Sequence, residues 1–315
     1  MGGTFWSDSH YHQRAAQLAA AGRSAFGHDQ DIRERRVAAT VHPLLDPAKL
    51  KGGCREARDS LAHPTSRAVA VMFDVTGSMK TVPQILQKNL CTLFDLLVDR
   101  EYLLDPALLV GGIGDATCDA APLQVGQFES GNEVEDDLSR LFLEGGGGGQ
   151  KTESYELALY FLARKTNLDC LEKRGQKGYA FIIGDELPYR RIKRREVEHF
   201  FGDHLPEDIP LEKIVAEVRK KYELFYILPN MTSYYHDPEI LEAWRELLGQ
   251  NVLRLPDPAL ISETIATTIG LAEGTVVADV FAGAPHMATS PLSAVLANMA
   301  SAVAAVFGWG GADLK

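Results

Sequence analysis

Cysteine is scarce in this chain. Only Cys54, Cys91, Cys118 and Cys170 occur in 315 residues. They form no CxxC or CxxH pair, which argues against a structural zinc site or a disulfide framework. Isolated thiols of this kind suit a reducing, cytoplasmic setting. Positive charge is also short: 32 Lys and Arg against 43 Asp and Glu leave a net charge of −11. A general binder of nucleic acid or of an anionic membrane needs a basic face, so neither partner is expected. No clean membrane span is present. The uncharged stretch from Val280 to Ala312 is broken by Pro285, Pro291, Ser and Asn. Met1 to His12 lacks a basic start followed by an apolar run, so no signal peptide is expected. None of the nine histidines sits with a Ser or Cys in a catalytic pattern, and His199 and His204 are five apart, the wrong spacing for a helical metal pair.

The composition that remains is ordinary for a globular protein, with 45% hydrophobic and 24% charged residues. Apolar runs at 68–74, 107–113, 179–184, 222–228 and 251–255 read as strands. Helical periodicity follows most of them, over Val82 to Val98 and over 154–164, 211–221, 238–249 and 259–272. Alternation of this kind predicts an α/β, doubly wound, mostly parallel sheet with helices on both faces. Ala121 to Phe128 follows a strand too closely for a crossover helix and is expected to pair antiparallel at an edge. Residues 67–273 would form this domain. Residues 1–66 carry an Ala-rich helix near 11–21 and read as an extension packed on it. Residues 274–315 read as a second extension. Its Leu292, Val295, Leu296, Met299, Val303, Val306 and Phe307 recur at helical spacing, which fits a helix docked on the core or an oligomer contact.

The chemistry gathers at strand ends. The run Ala70 to Phe73 ends in Asp74-Val75-Thr76-Gly77-Ser78, one carboxylate and two hydroxyls at every second position. Gly77 is expected to allow a tight turn, with a helix from about Met79. Hard oxygen ligands at a strand end suit Mg²⁺, which takes one or two carboxylates and keeps several waters. Phe181 to Gly184 likewise ends in Asp185-Glu186. Gln150-Lys151-Thr152-Glu153 opens a helix after a five-glycine run, Gly145 to Gly149, with Thr152 a plausible N-cap.

These residues resemble the metal-ion-dependent adhesion site (MIDAS) of the von Willebrand factor type A (vWA) family, in an intracellular bacterial type. That site has Asp-x-Ser/Thr-x-Ser, then a Thr, then an Asp. Here Asp74, Thr76 and Ser78 match the first part, Thr152 the second and Asp185 the third. Glu153 is the alternative for the middle place. Asp115, in Gly114-Asp115-Ala116, resembles a segment near the family's upper sheet edge and could stand behind the ligands or simply hold a turn. The resemblance spans about residues 67–273. It implies Mg²⁺, with Mn²⁺ or Ca²⁺ also fitting, and a protein partner whose Asp or Glu completes the metal. It implies no enzyme activity. Relatives often work beside MoxR-type AAA+ ATPases as adaptors or assembly factors.

Other readings compete. In one, the C-terminal extension drives self-assembly into a homo-oligomer. In another, Gly145 to Thr152 nearly spells the P-loop of an NTPase, but Gln150 stands where glycine is needed and Glu133 to Glu144 before it looks helical rather than extended. In a third, Asp74 is the nucleophile of a haloacid-dehalogenase-type phosphohydrolase. That chemistry wants a second acid two residues on, where Thr76 stands. The run Arg190 to Arg195 reads as a solvated helix face or a docking patch for an acidic partner, with Tyr189, Tyr234 and Tyr235 nearby.

Overall fold

Continuous apolar runs make the central strands because a parallel sheet is covered on both faces. The computed structural model describes residues 5–50, 53–90, 92–146 and 149–275. Six strands form the main sheet: β1 (Arg67–Asp74), β2 (Pro106–Ile113), β3 (Leu123–Val125), β4 (Gly178–Ile183), β5 (Tyr222–Pro229) and β6 (Val252–Leu255). Their order is β6-β5-β4-β1-β2-β3. All pairs are parallel except β2 with β3, where Gly111 faces Val125 and Ile113 faces Leu123. The expected antiparallel edge strand is therefore present, though shorter than 121–128.

Side chains of β1 alternate between two cores. Val69, Val71 and Phe73 face one, and Ala68, Ala70 and Met72 the other. The first core is closed by α3 (Val82–Leu90), α4 (Leu93–Asp99), α5 (Glu133–Arg140) and α11 (Ile261–Ala272). The second is closed by α6 (Tyr155–Arg164), α7 (Asp169–Arg174), α8 (Arg194–Phe201), α9 (Leu211–Lys221) and α10 (Pro238–Leu248). The chain is thus α/β, with a mostly parallel sheet and helices on both faces. Two further helices, α1 (Asp8–Ala20) and α2 (Gly27–Arg33), precede the sheet. Trp6 stacks on Phe94 of α4 at 5.1 Å, and Arg33 donates to the Leu143 carbonyl at 2.9 Å. Both contacts tie the N-terminal segment to the first core.

Some elements differ from the pattern. The single helix expected over Val82 to Val98 is two, α3 and α4. Near the break Asn89 donates to the Ile85 carbonyl and the Thr92 hydroxyl to the Asn89 carbonyl, local bonds that compete with the helix ladder. The helix expected from Met79 starts at Val82, after a 3₁₀ turn over Gly77–Met79 and a Lys80 held at φ 52°. Helix α5 ends at Arg140 rather than Glu144. Leu141 is extended, and Phe142 exchanges hydrogen bonds with the buried Gln124 side chain at 2.8 Å each way. The C-terminal stripe from Leu292 to Phe307 lies outside the described residues, as do Cys91 and two residues of the glycine run.

Candidate metal site

Chain order reverses beside β1: the strands that follow it first in sequence lie on one side, and β4, β5 and β6 on the other. A crevice opens at such a reversal, outside the carboxyl ends of the strands. Asp74 is the last residue of β1, and Asp185 follows β4 by two residues. The topology therefore brings these two acids together at the reversal.

Hydroxyls join them. Thr76 donates through both its backbone N–H (2.8 Å) and its Oγ1 (2.6 Å) to Asp74 Oδ1. Ser78 Oγ donates to Asp185 Oδ1 at 2.6 Å. The two hydroxyl oxygens then lie 3.3 Å apart. Tyr155, at the start of α6, donates to the other Asp74 oxygen at 2.7 Å, and the Tyr234 N–H donates to the other Asp185 oxygen at 3.0 Å. Asp74 and Asp185 are fully buried and Thr76 nearly so, while Ser78 is half-buried.

Two glycines make room for this arrangement. The Gly77 N–H donates to the Gly146 carbonyl at 2.7 Å, and a Cβ on Gly77 would stand 2.7 Å from that same oxygen. Gly77 is thus required by a close backbone approach, not by the turn conformation expected of it. A Cβ on Gly184 would collide with the Tyr155 hydroxyl.

Thr152 is not an N-cap. Thr152–Glu153 pairs in parallel with Leu187–Pro188, helix α6 begins at Tyr155, and the preceding Ser154 uses its hydroxyl to accept the Ala116 N–H at 2.9 Å. The pairing is tertiary, which is why local signals mislead here. Thr152 stays partly exposed at the rim. Glu153 turns inward and is buried beside Asp74 and Glu186. Asp115 serves its own turn, accepting from the Thr117 N–H and hydroxyl, and also accepts from Tyr189 and Gln150. No described hydrogen bond joins it to Asp74 or Asp185. The sequence pattern assigned no site role to Tyr155, to Glu186 or to Trp244, whose Nε1 donates to the Glu186 carbonyl at 3.0 Å.

The electrostatics are those of acids crowded out of water. Burial, with Asp185 close by, pushes the Asp74 carboxyl up to about 7. Burial also raises Asp185. Burial and the Asp74 charge push Glu153 up to about 12, and burial takes Glu186 up to about 8. The two glutamate carboxyls interact directly, which adds to the rise at Glu153 and offsets part of it at Glu186. Among the described residues, no Lys or Arg forms an ion pair with any of these four acids. Lys151, the residue a phosphate loop would need, is instead bound to Asp237 (2.6 Å) and Glu239 (3.2 Å).

The residues fit a small divalent cation. Octahedral Mg²⁺ with ligands at about 2.1 Å holds neighbouring oxygens about 3 Å apart. The Thr76 and Ser78 hydroxyls are 3.3 Å apart, and each gives its proton to a carboxylate, leaving lone pairs for a cation. One oxygen each of Glu153 and Glu186 is buried without a hydrogen-bond partner. Among the described residues no group of three or more His, Cys, Asp or Glu has the arrangement of a metal cluster.

No protein-family model matches the sequence, and no curated protein matches it. Solved structures do. The pilus adhesin SpaC from Lactobacillus rhamnosus GG, in its open conformation, is similar over 66% of this chain at 10% identity and a TM-score of 0.46. Proximal thread matrix protein 1 from the mussel byssus is similar over 70% at 10% identity and a TM-score of 0.41. The match covers 30% of the adhesin chain and 47% of the mussel protein, less than half of either. Among the described residues no helix is long and apolar enough to cross a membrane.

Proposed function

We propose that this chain is a vWA-type protein-binding module that holds Mg²⁺ at Asp74, Thr76, Ser78 and Asp185 and uses it to capture a carboxylate of a protein partner. The observation that carries this reading is the paired clasp of hydroxyl on carboxylate, Thr76 on Asp74 and Ser78 on Asp185, with the two hydroxyl oxygens 3.3 Å apart. When bound, Mg²⁺ supplies an electrophilic open position that accepts an outside carboxylate. The protein's own residues do the rest. Tyr155 and the Tyr234 N–H fix the far oxygens of Asp74 and Asp185, so both acids present one edge to the crevice. Half-buried Ser78 is the least buried of the four proposed ligands, and a partner would enter on its side.

Glu153 is favoured over Thr152 for the middle place, because it is buried with one carboxyl oxygen left without a hydrogen-bond partner; a cation bound there would displace its proton. Binding rather than catalysis is proposed, since Thr76 occupies the position where a phosphohydrolase needs its acid and Lys151 is tied to Asp237. A cytoplasmic role as adaptor or assembly factor, such as beside a MoxR-type AAA+ ATPase, belongs to the same proposal.

The experiment is a pull-down with the tagged full chain in Mg²⁺, eluted with EDTA. A partner eluted by EDTA and not captured by Asp74→Ala is expected. Equal capture by the variant would refute the reading.

A further inference from the structure

Next to the candidate metal site lies a cluster of cations that the chain's charge does not lead one to expect. In a protein of net charge −11, five of the six residues from Arg190 to Arg195 are basic. Arg190, Arg191, Arg194 and Arg195 are exposed. Their own chain neutralises them poorly. Arg190 approaches Glu246 only to 3.9 Å at the surface, and the Arg194 guanidinium reaches a carbonyl, that of Pro206, at 3.5 Å. Among the described residues, Arg191 and Arg195 make no ion pair. Elsewhere the chain does pair its arginines with acids, as in Arg58 with Asp169 and Arg164 with Glu217.

Placement adds a second argument. Lys193 is the N-cap of α8, and Arg194 and Arg195 open its first turn ahead of Glu196. That end of a helix carries partial positive charge and favours acids. Glu196 in the same turn pairs with Lys193 at 2.9 Å, and Asp208 accepts the Arg194 N–H at 2.9 Å, so this end has its acids, while the Arg191 and Arg195 guanidinium groups are left for an outside partner.

The cluster is also built into the rim of the site. Leu187–Pro188 pairs with Thr152–Glu153, and Arg191–Ile192 pairs antiparallel with Ile209–Pro210, which fixes the segment between. Tyr189 lies between the two. Its hydroxyl donates to Asp115 at 3.1 Å, and the Lys193 ammonium stands 4.9 Å over its ring.

We propose that Arg190, Arg191, Arg194 and Arg195 form a docking strip for an acid-rich segment of the protein partner, one carboxylate of which goes to the metal site. This rests on the metal-site reading above for the role of that one carboxylate only. In the chain the strip follows the strand Leu187–Pro188, which pairs with Thr152–Glu153, so one acidic segment of the partner is proposed to serve both the metal and the guanidinium groups. Exposed arginines of this kind act mainly on association rate and salt dependence.

The test uses the full chain and a fluorescein-labelled peptide of alternating Asp and Glu, with a length-matched Asn/Gln peptide as control. Anisotropy is read in Mg²⁺ and in EDTA over a range of salt. The acidic peptide is expected to bind more tightly than the control, and more tightly in Mg²⁺. Arg191→Glu with Arg195→Glu should weaken it roughly tenfold or more and flatten its salt dependence, while the Mg²⁺-induced rise in melting temperature stays as in wild type. Asp74→Ala should lose the Mg²⁺ effect but keep the salt-sensitive part. If the metal reading fails, Mg²⁺ has no effect on wild type, yet the arginine dependence persists. Unchanged binding in the double variant would overturn the strip. So would tighter, arginine-dependent binding of a single-stranded oligonucleotide than of the peptide, which would assign the strip to nucleic acid.

Discussion

At the scale of single residues, acids buried without cations dominate the molecule's chemistry. Glu153 and Thr152 separate cleanly by experiment. Glu153→Gln should weaken Mg²⁺ binding several-fold in a calorimetric titration, while Thr152→Ala should change it by less than about twofold. The reverse order would return the middle ligand to Thr152. Glu156 is a different case. It lies in α6, fully buried, with neither carboxyl oxygen hydrogen-bonded to another side chain or backbone group. Burial holds its carboxyl well above the ordinary carboxylate range. A carboxyl raised in the folded state favours folding while it is protonated. Its contribution is complete below the unfolded value of about 4.3 and is lost as pH rises toward the folded value. Glu156→Met should therefore stabilise the protein, and by more at higher pH. Urea unfolding of both proteins at pH 5 and pH 7.5 measures this. A gain that does not grow with pH would show that Glu156 is already paired.

Among the elements, the site depends on how loops approach one another. The loop after β1 touches the start of the glycine run through Gly77 N–H on the Gly146 carbonyl and Gly145 N–H on the Val75 carbonyl. Gly77→Ala puts a methyl against that carbonyl and should destabilise the fold by about 1–3 kcal/mol, with a parallel loss of Mg²⁺ affinity. Thermal melts with and without Mg²⁺ would show both. The strands were legible because parallel, doubly covered strands are continuous apolar runs, as Val69 to Phe73 is. The acids at their ends were legible for the same reason, since Asp74 and Asp185 each terminate such a run. Helix ends were less so. The break between α3 and α4 comes from side-chain bonds that periodicity does not encode, and Thr152 does not cap α6 because it and Glu153 pair 35 residues away with Leu187 and Pro188. Tyr155 bonds Asp74 across 81 residues of sequence. No local pattern announces a contact of that kind.

For the whole molecule, the sheet order accounts for the site's location. Reversal of the winding beside β1 brings the ends of β1 and β4 together, and the loops from 74–78, 152–153 and 185–186 converge there. If the module acts as an adaptor rather than by self-assembly, size-exclusion chromatography of the full chain should give the same elution volume in Mg²⁺ and in EDTA. An oligomer that EDTA dissolves would favour assembly instead. The central claim is tested most directly by melting temperature against Mg²⁺ concentration for wild type and Asp74→Ala. A ligand bound only by the folded state stabilises it by about 2.7 kcal/mol at a hundredfold excess over its dissociation constant. Wild type should therefore melt several degrees higher at saturating Mg²⁺, and EDTA should abolish the rise. Asp74→Ala should show no rise, whatever its melting temperature without metal. An equal rise in the two proteins, or none in wild type, would contradict a metal at Asp74.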